Sequence, residues 1–194
     1  MNDDHMDSPY QASQLARLKS QLRGAYIKVT YTHASHYKLS NTLVTKHHIT
    51  RTIQVIFAAL TPKAILIGVF LYEDIASLIA AFLSTVALLL NTYLEEAALI
   101  EKSQQHKEAA TELWKIREEY VSAFIDAEAL GIEAVTAKRD ELQIRTASLY
   151  GTAPSIGAYS YKEAMRMLNR TGKQSIFKND MDIMDIDGNE EDLT

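Results

Sequence analysis

IQVIFAALTPKAILIGVFLY (Ile53–Tyr72), the acidic pair Glu73-Asp74, and IASLIAAFLSTVALLLNTYL (Ile75–Leu94) decide the fold of this chain. The first stretch holds 20 residues and one charge, Lys63; the second holds 20 residues and none. At about 1.5 Å per residue, a helix of that length reaches about 30 Å, the thickness of a bilayer core. Two such segments joined by two acids predict an all-α membrane protein built on a two-helix transmembrane hairpin over residues 53–94.

The flanks are polar and unequal. Between Tyr10 and Thr52 lie seven bases (Arg17, Lys19, Arg23, Lys28, Lys38, Lys46, Arg51) and no acid, whereas the connection Glu73-Asp74 carries no base. Bases beside a span stay cytoplasmic, so the N-terminus is expected inside and the hairpin tip outside, with residues 95–194 returned to the cytoplasm. The start, MNDDHMDSPY, is acidic and polar, and residues 1–9 are expected to be disordered. The first span then serves as its own uncleaved membrane signal. Seven Gly and three Pro in 194 residues favour helix. The absence of Cys excludes disulfides, thiolate nucleophiles and cysteine-based zinc sites.

Outward from the hairpin, the spacing of Leu15, Leu18, Leu22, Ala25 and Val29 predicts a basic cytoplasmic helix over residues 10–52, interrupted weakly at Gly24. That helix either presents a stripe to a partner or lies on acidic headgroups. On the other side, Leu113, Ile116, Tyr120, Ala123, Ala127, Leu130, Ala134 and Ala137 predict one long cytoplasmic helix over residues 95–149, with a weak point at Gly131. Neither stripe can be buried alone, so the long helices are expected to pack as a bundle or coiled coil. Gly151, Pro154 and Gly157 break the pattern, and Ser160 with Glu163 caps a short helix within residues 150–172. Residues 173–194 form an acidic tail expected to be disordered. Placing Gly188 sixth in a calcium loop sets Ile183 first and Thr194 last, where acids are needed, so no such loop is read.

No catalytic constellation is present: there is no phosphate-binding Gly loop, no GxSxG and no HExxH. The sequence therefore predicts neither an enzyme nor a cofactor, and no direct contact with nucleic acid. His33 and His36 share a helix face, but no carboxylate between Tyr10 and Arg51 completes a metal site. His47, His48 and Arg51 mark where the chain meets the membrane.

Polar residues within the spans are the candidate functional positions. Thr61, Pro62 and Lys63 fall in the middle of the first, and a Lys at that depth costs roughly 2.5–3.5 kcal/mol on insertion scales. They are read as pore-lining or gating positions together with Ser84 and Thr85. Two other readings place Lys63 nearer the interface in a shifted span, or bury both segments in a soluble hairpin. Ala64 and Gly68 in the first helix, and Ala76, Ala80 and Ser84 in the second, have the small-residue spacing of close helix packing in membranes.

Three places together resemble the SLATT proteins, small bacterial two-transmembrane effectors of antiphage conflict systems. They are the Tyr-containing YIKVTYTHASHYKLSNTL (Tyr26–Leu43), the hairpin with its short outer turn, and Thr152-Ala153-Pro154 followed by Ala158-Tyr159 and Ala164. The basic Arg-Leu pair common before the first span stands here as Lys38-Leu39. The resemblance implies an effector in the inner membrane, kept silent by a sensor or regulatory protein of a cyclic-nucleotide-signalled or retron system. On its signal the effector would assemble as a homo-oligomer in the lipid bilayer, perforate it and arrest growth in abortive infection. The competing reading from the same helices is a non-conducting, membrane-anchored coiled-coil scaffold.

Overall fold

The computed structural model describes residues 9–71, 74–158, 161, 162 and 166; of the side chains in that set, those of residues 64, 67–71, 74 and 76 are not described. Four helices follow one another: α1 Pro9–Leu71, α2 Asp74–Ala97, α3 Leu99–Ile125 and α4 Ala127–Thr152. No strand occurs among the described residues, so the all-α class holds. The expected disordered start and acidic tail, and most of the expected short helix after Gly157, lie outside the described residues. α1 runs 63 residues and continues through Pro62. A proline inside a helix removes one donor from the ladder.

The chain divides into two compact units, residues 1–39 with 106–194, and residues 40–105. The first is a three-helix arrangement around one core. α1 supplies Leu18, Leu22, Tyr26 and Val29; α3 supplies Leu113, Ile116, Tyr120 and Phe124; α4 supplies Ala127, Val135 and Leu142. On α3 the buried positions His106, Ala110, Leu113, Arg117, Tyr120 and Phe124 alternate by four and three, the signature of helices packed along their length. Ala109, Ile116 and Ala123 widen that face enough for two neighbours. Each fully buried Leu contributes roughly 1.5–3 kcal/mol of transfer free energy. Outside the core, Glu119 of α3 accepts from Lys138 (2.9 Å) and Arg145 (2.7 Å) of α4. Burial opposes ionisation of Glu119, yet the hydrogen bonds from Lys138 and Arg145 outweigh it and hold the carboxyl below its ordinary value.

Where one helix was predicted over residues 95–149, the backbone breaks at three points. Ala98, between α2 and α3, has φ 45, a left-handed conformation that costs a side-chain-bearing residue about 1–2 kcal/mol. Asp126 (φ −82, ψ 0) separates α3 from α4. Gly131 has φ 77 and ψ 168, a region open in practice only to glycine. The kink rotates the following residues out of the stripe. Ala134 and Ala137 are exposed, and Leu130, just before the kink, is already 49% exposed. After Gly131 the buried line is Val135 and Leu142, with Leu149 packed against the core. α4 stops at Thr152 because Pro154 drives the preceding Ala153 to extended backbone (φ −68, ψ 147).

The second unit, residues 40–105, has the opposite surface character. Ile56, Leu66, Leu78, Phe82, Leu88 and Leu89 all stand exposed. A contiguous apolar surface of that extent marks a lipid or partner contact rather than a water-facing fold. Among the described residues, only the stretch within Ser77–Ile125 is long and apolar enough to cross a membrane, and 6% of its apolar window is buried.

Candidate functional site

Two groups of residues stand out, one in each unit. In residues 40–105 the side of α1 turned inward is Ser40, Leu43, His47, Thr50, Gln54, Phe57 and Thr61, and that of α2 is Ala80, Leu83, Ala87, Leu90, Leu94 and Ala97. Both series alternate by three and four, which gives left-handed packing at a small crossing angle. Polar pairs fasten one end of this seam. Ser103 Oγ donates to Ser40 O at 3.0 Å, with the two hydroxyls also 3.0 Å apart. Gln54 Nε2 donates to Asn91 Oδ1 at 2.9 Å, and Lys46 Nζ sits 5.4 Å from the centre of the Tyr93 ring.

The sequence-predicted positions separate along this seam. Thr61 is half-buried and its hydroxyl donates to Phe57 O at 2.9 Å. Pro62 and Lys63 are exposed. At about 100° per residue, Lys63 lies about 200° round α1 from Thr61, so its ammonium points away from α2. Ala80 is buried (5% exposed), whereas Ser84 and Thr85 are exposed, and Thr85 Oγ1 donates to its own helix at Ala81 O. The small-residue spacing of four places Ser84 on the seam; the observed three-four alternation passes through Leu83 and Ala87 instead. The side chains at Ala64, Gly68 and Ala76 lie outside the described residues.

In the other unit a histidine cluster is buried between α1 and α3. His36 Nδ1 and His106 Nδ1 are 2.8 Å apart, with ring centres 5.0 Å apart and planes inclined 43°. At that distance one Nδ1 carries the hydrogen and the other accepts it, so the two neutral rings hold opposite tautomers. His36 is 2% exposed. One turn before it, His33 has a buried Nδ1 with no hydrogen-bond partner. Burial pushes His33 down to about 4, with the charge of Arg117 adding to it. Burial likewise lowers His36 to about 4, helped by His106 and His33, and burial lowers His106. Arg117 is itself 3% exposed and pairs with Glu118. The cluster is thus a neutral, hydrogen-bonded core element with a cation beside it. Among the described residues no group of three or more His, Cys, Asp or Glu is arranged to hold a metal.

Sequence reasoning saw His33 and His36 but missed His106. The signal was available: stepping the α3 stripe back from Leu113 by three and four reaches Ala110, His106 and Ser103, all buried.

Comparison with known families decides what the hairpin belongs to. The model of the SMODS and SLOG-associating 2TM effector domain family 4 matches residues 18–180. The chain belongs to this SLATT family. No curated protein and no solved structure matched it. The SLATT match takes in both seams and the histidine cluster, and the family's two-transmembrane character implies membrane association. Six of the seven acids within residues 179–194 lie beyond the end of the SLATT match.

Proposed function

We propose that this SLATT protein is the membrane effector of a bacterial antiphage system. In this reading it spans the inner membrane twice with both termini cytoplasmic, and it acts without catalysis. Several copies assemble and perforate or disrupt the bilayer, which arrests growth or aborts infection. A sensor or regulatory protein of the same system holds it silent.

The observation that carries this reading is Lys63. It is exposed, it is directed away from α2, and Ile56, Leu60 and Leu66 around it are exposed as well. In a lone hairpin that ammonium would face lipid at a cost of roughly 2.5–3.5 kcal/mol. Contact with another copy, or with water held between copies, removes the penalty, so Lys63 favours assembly. A single pair of helices encloses no aqueous path, and conduction therefore needs several.

The test is induced expression in bacteria with a membrane-potential dye and the cognate trigger. Depolarisation is expected, and Lys63→Leu should change its extent. A potential unaffected by the triggered protein would refute the proposal; unchanged depolarisation by the Leu variant would remove Lys63 from the conducting surface. The scaffold reading draws on the self-contained core of residues 1–39 with 106–194. It is distinguished by exchanging residues 53–94 for an unrelated two-span anchor: a scaffold keeps its activity and a pore former loses it.

A further inference from the structure

In the unit of residues 1–39 with 106–194, a groove of about 490 Å³ opens between α1, α3 and α4. Gln21, Gly24 and Lys28 line it from α1, Tyr120 from α3, and Gln143 and Tyr150 from α4, with no carboxylate in its wall. Gly24 borders open space, since a Cβ there would meet nothing within 4 Å. Arg17, Gln21, Gly24 and Lys28 follow at spacings of four, three and four, so both cations share the grooved face of α1. Arg139 reaches the same wall, its Nη1 donating to Gln21 Oε1 at 2.6 Å.

Several other cations of this unit are paired with acids, although Arg23 and Lys107 have none among the described residues. Lys19 is paired with Glu128, Lys115 with Glu112, and Lys138 and Arg145 with Glu119. Arg17 and Lys28 are exposed, and neither has an acid partner among the described residues. α1 carries no acid between Tyr10 and Leu71 that could pair with them in its own helix.

The complement is in the same chain. Residues 179–194 hold seven acids and no base, and Met181, Ile183, Met184 and Ile186 are interleaved with Asp180, Asp182, Asp185 and Asp187. The route toward the groove begins beside it. α4 ends at Thr152, shortly after the groove residue Tyr150. Tyr161 lies near enough that, after burial, its phenol is a further cause of the raised pKa of Tyr150. Eighteen residues separate Tyr161 from Asp180, a length that can span up to about 60 Å.

We propose that the segment Asp180–Asp187 lies in this groove of its own chain, with its carboxylates against Arg17 and Lys28 and its Met and Ile side chains over the exposed ring of Tyr150. Tethering favours this occupant over a free anion or a second molecule, because a short connection supplies an effective concentration on the order of 1 mM. A contact of comparable Kd then keeps the groove half or more occupied, which slows modification of Lys28 by about two-fold or more. The contact is electrostatic and exposed, so it weakens as salt rises.

The experiment uses the full-length chain in detergent. A carbodiimide couples a Lys amine to a carboxylate with loss of water, and mass spectrometry locates the resulting amide. Lys28 should couple to Asp180–Asp187 in preference to Lys115, and mixed light and heavy isotope-labelled chains should give links within one chain only. Lys28→Arg should abolish the link while keeping the charge. In parallel, acetylation of Lys28 should speed up by about two-fold or more when Asp180, Asp182, Asp185 and Asp187 are all changed to Asn, or in about 1 M salt. Links between light and heavy chains would overturn the proposal in favour of a second copy. It would also be overturned if Lys28 acetylation ignored the Asn changes, or if millimolar inorganic phosphate protected Lys28 equally with and without them; the latter would assign the groove to a free anion.

Discussion

Acidification should loosen the helical unit that holds His33, His36 and His106, and the size of the effect follows from their burial. In the folded protein His33 and His36 stay neutral down to about 4, against 6.5 for a free imidazole. A folded value below the unfolded one means that the unfolded chain binds more protons through this interval. Stability is therefore intact above the unfolded pKa and is lost as pH falls from 6.5 toward 4. At pH 5 the linkage relation gives roughly 2 kcal/mol of lost stability for each of the two. Together the sum is an upper bound, since the neighbouring sites titrate as a set. Even half of it is a large part of the 5–15 kcal/mol that holds a typical domain. The assay is thermal unfolding of the full-length chain in detergent, followed by helical circular dichroism between about pH 7.5 and 5. Above pH 5 the depressed carboxyl of Glu119 remains ionised in the folded chain and is mostly ionised in the unfolded one, so it contributes little to the slope. The wild-type midpoint should fall steadily below about pH 6.5, and a His33→Asn, His36→Gln, His106→Gln variant should lose most of that slope. A wild-type midpoint flat from 7.5 to 5, or an equal slope in the variant, would refute the reasoning.

Further predictions concern the helix breaks and the core. Gly131→Ala forces a side chain into a glycine-only conformation (φ 77, ψ 168) and should destabilise by about 1–3 kcal/mol in the same melt. Ala98→Gly relieves a left-handed alanine and should be neutral or stabilising by up to about 1 kcal/mol. Leu142→Ala removes a side chain with 0% exposure and should cost about 2–5 kcal/mol, read as a lower midpoint in denaturant.

The legible parts of the sequence were those where periodicity alone acts. Leu18, Leu22 and Val29 on α1, Leu113, Ile116, Tyr120 and Ala123 on α3, and Ala127 at the start of α4 are buried as their spacing predicts. The spacing rule failed after Ala127: Leu130 stands exposed beyond the break at Asp126, and φ 77 at Gly131 resets the phase so that Ala134 and Ala137 are exposed as well. Composition flagged Gly131 as weak without giving the angle. The break at Ala98 carried no signal, since alanine is a strong helix former and its left-handed conformation follows from the surrounding structure. Thr61, Pro62 and Lys63 read as one polar group in one dimension; wound on a helix, Thr61 and Lys63 face different ways. His106 was overlooked because its partner His36 lies 70 residues away and neither has a carboxylate three or four residues along its helix to advertise a site.

The central claim is that residues 53–72 and 75–94 both lie in the bilayer while both chain ends stay in the cytoplasm. The natural chain has no cysteine, so single-cysteine variants labelled on intact spheroplasts with a membrane-impermeant maleimide test it most directly. The account predicts that Glu73→Cys is labelled from outside, whereas Ser13→Cys and Ser148→Cys react only after permeabilisation. Labelling of either of those two on intact spheroplasts, or protection of Glu73→Cys until lysis, would contradict it.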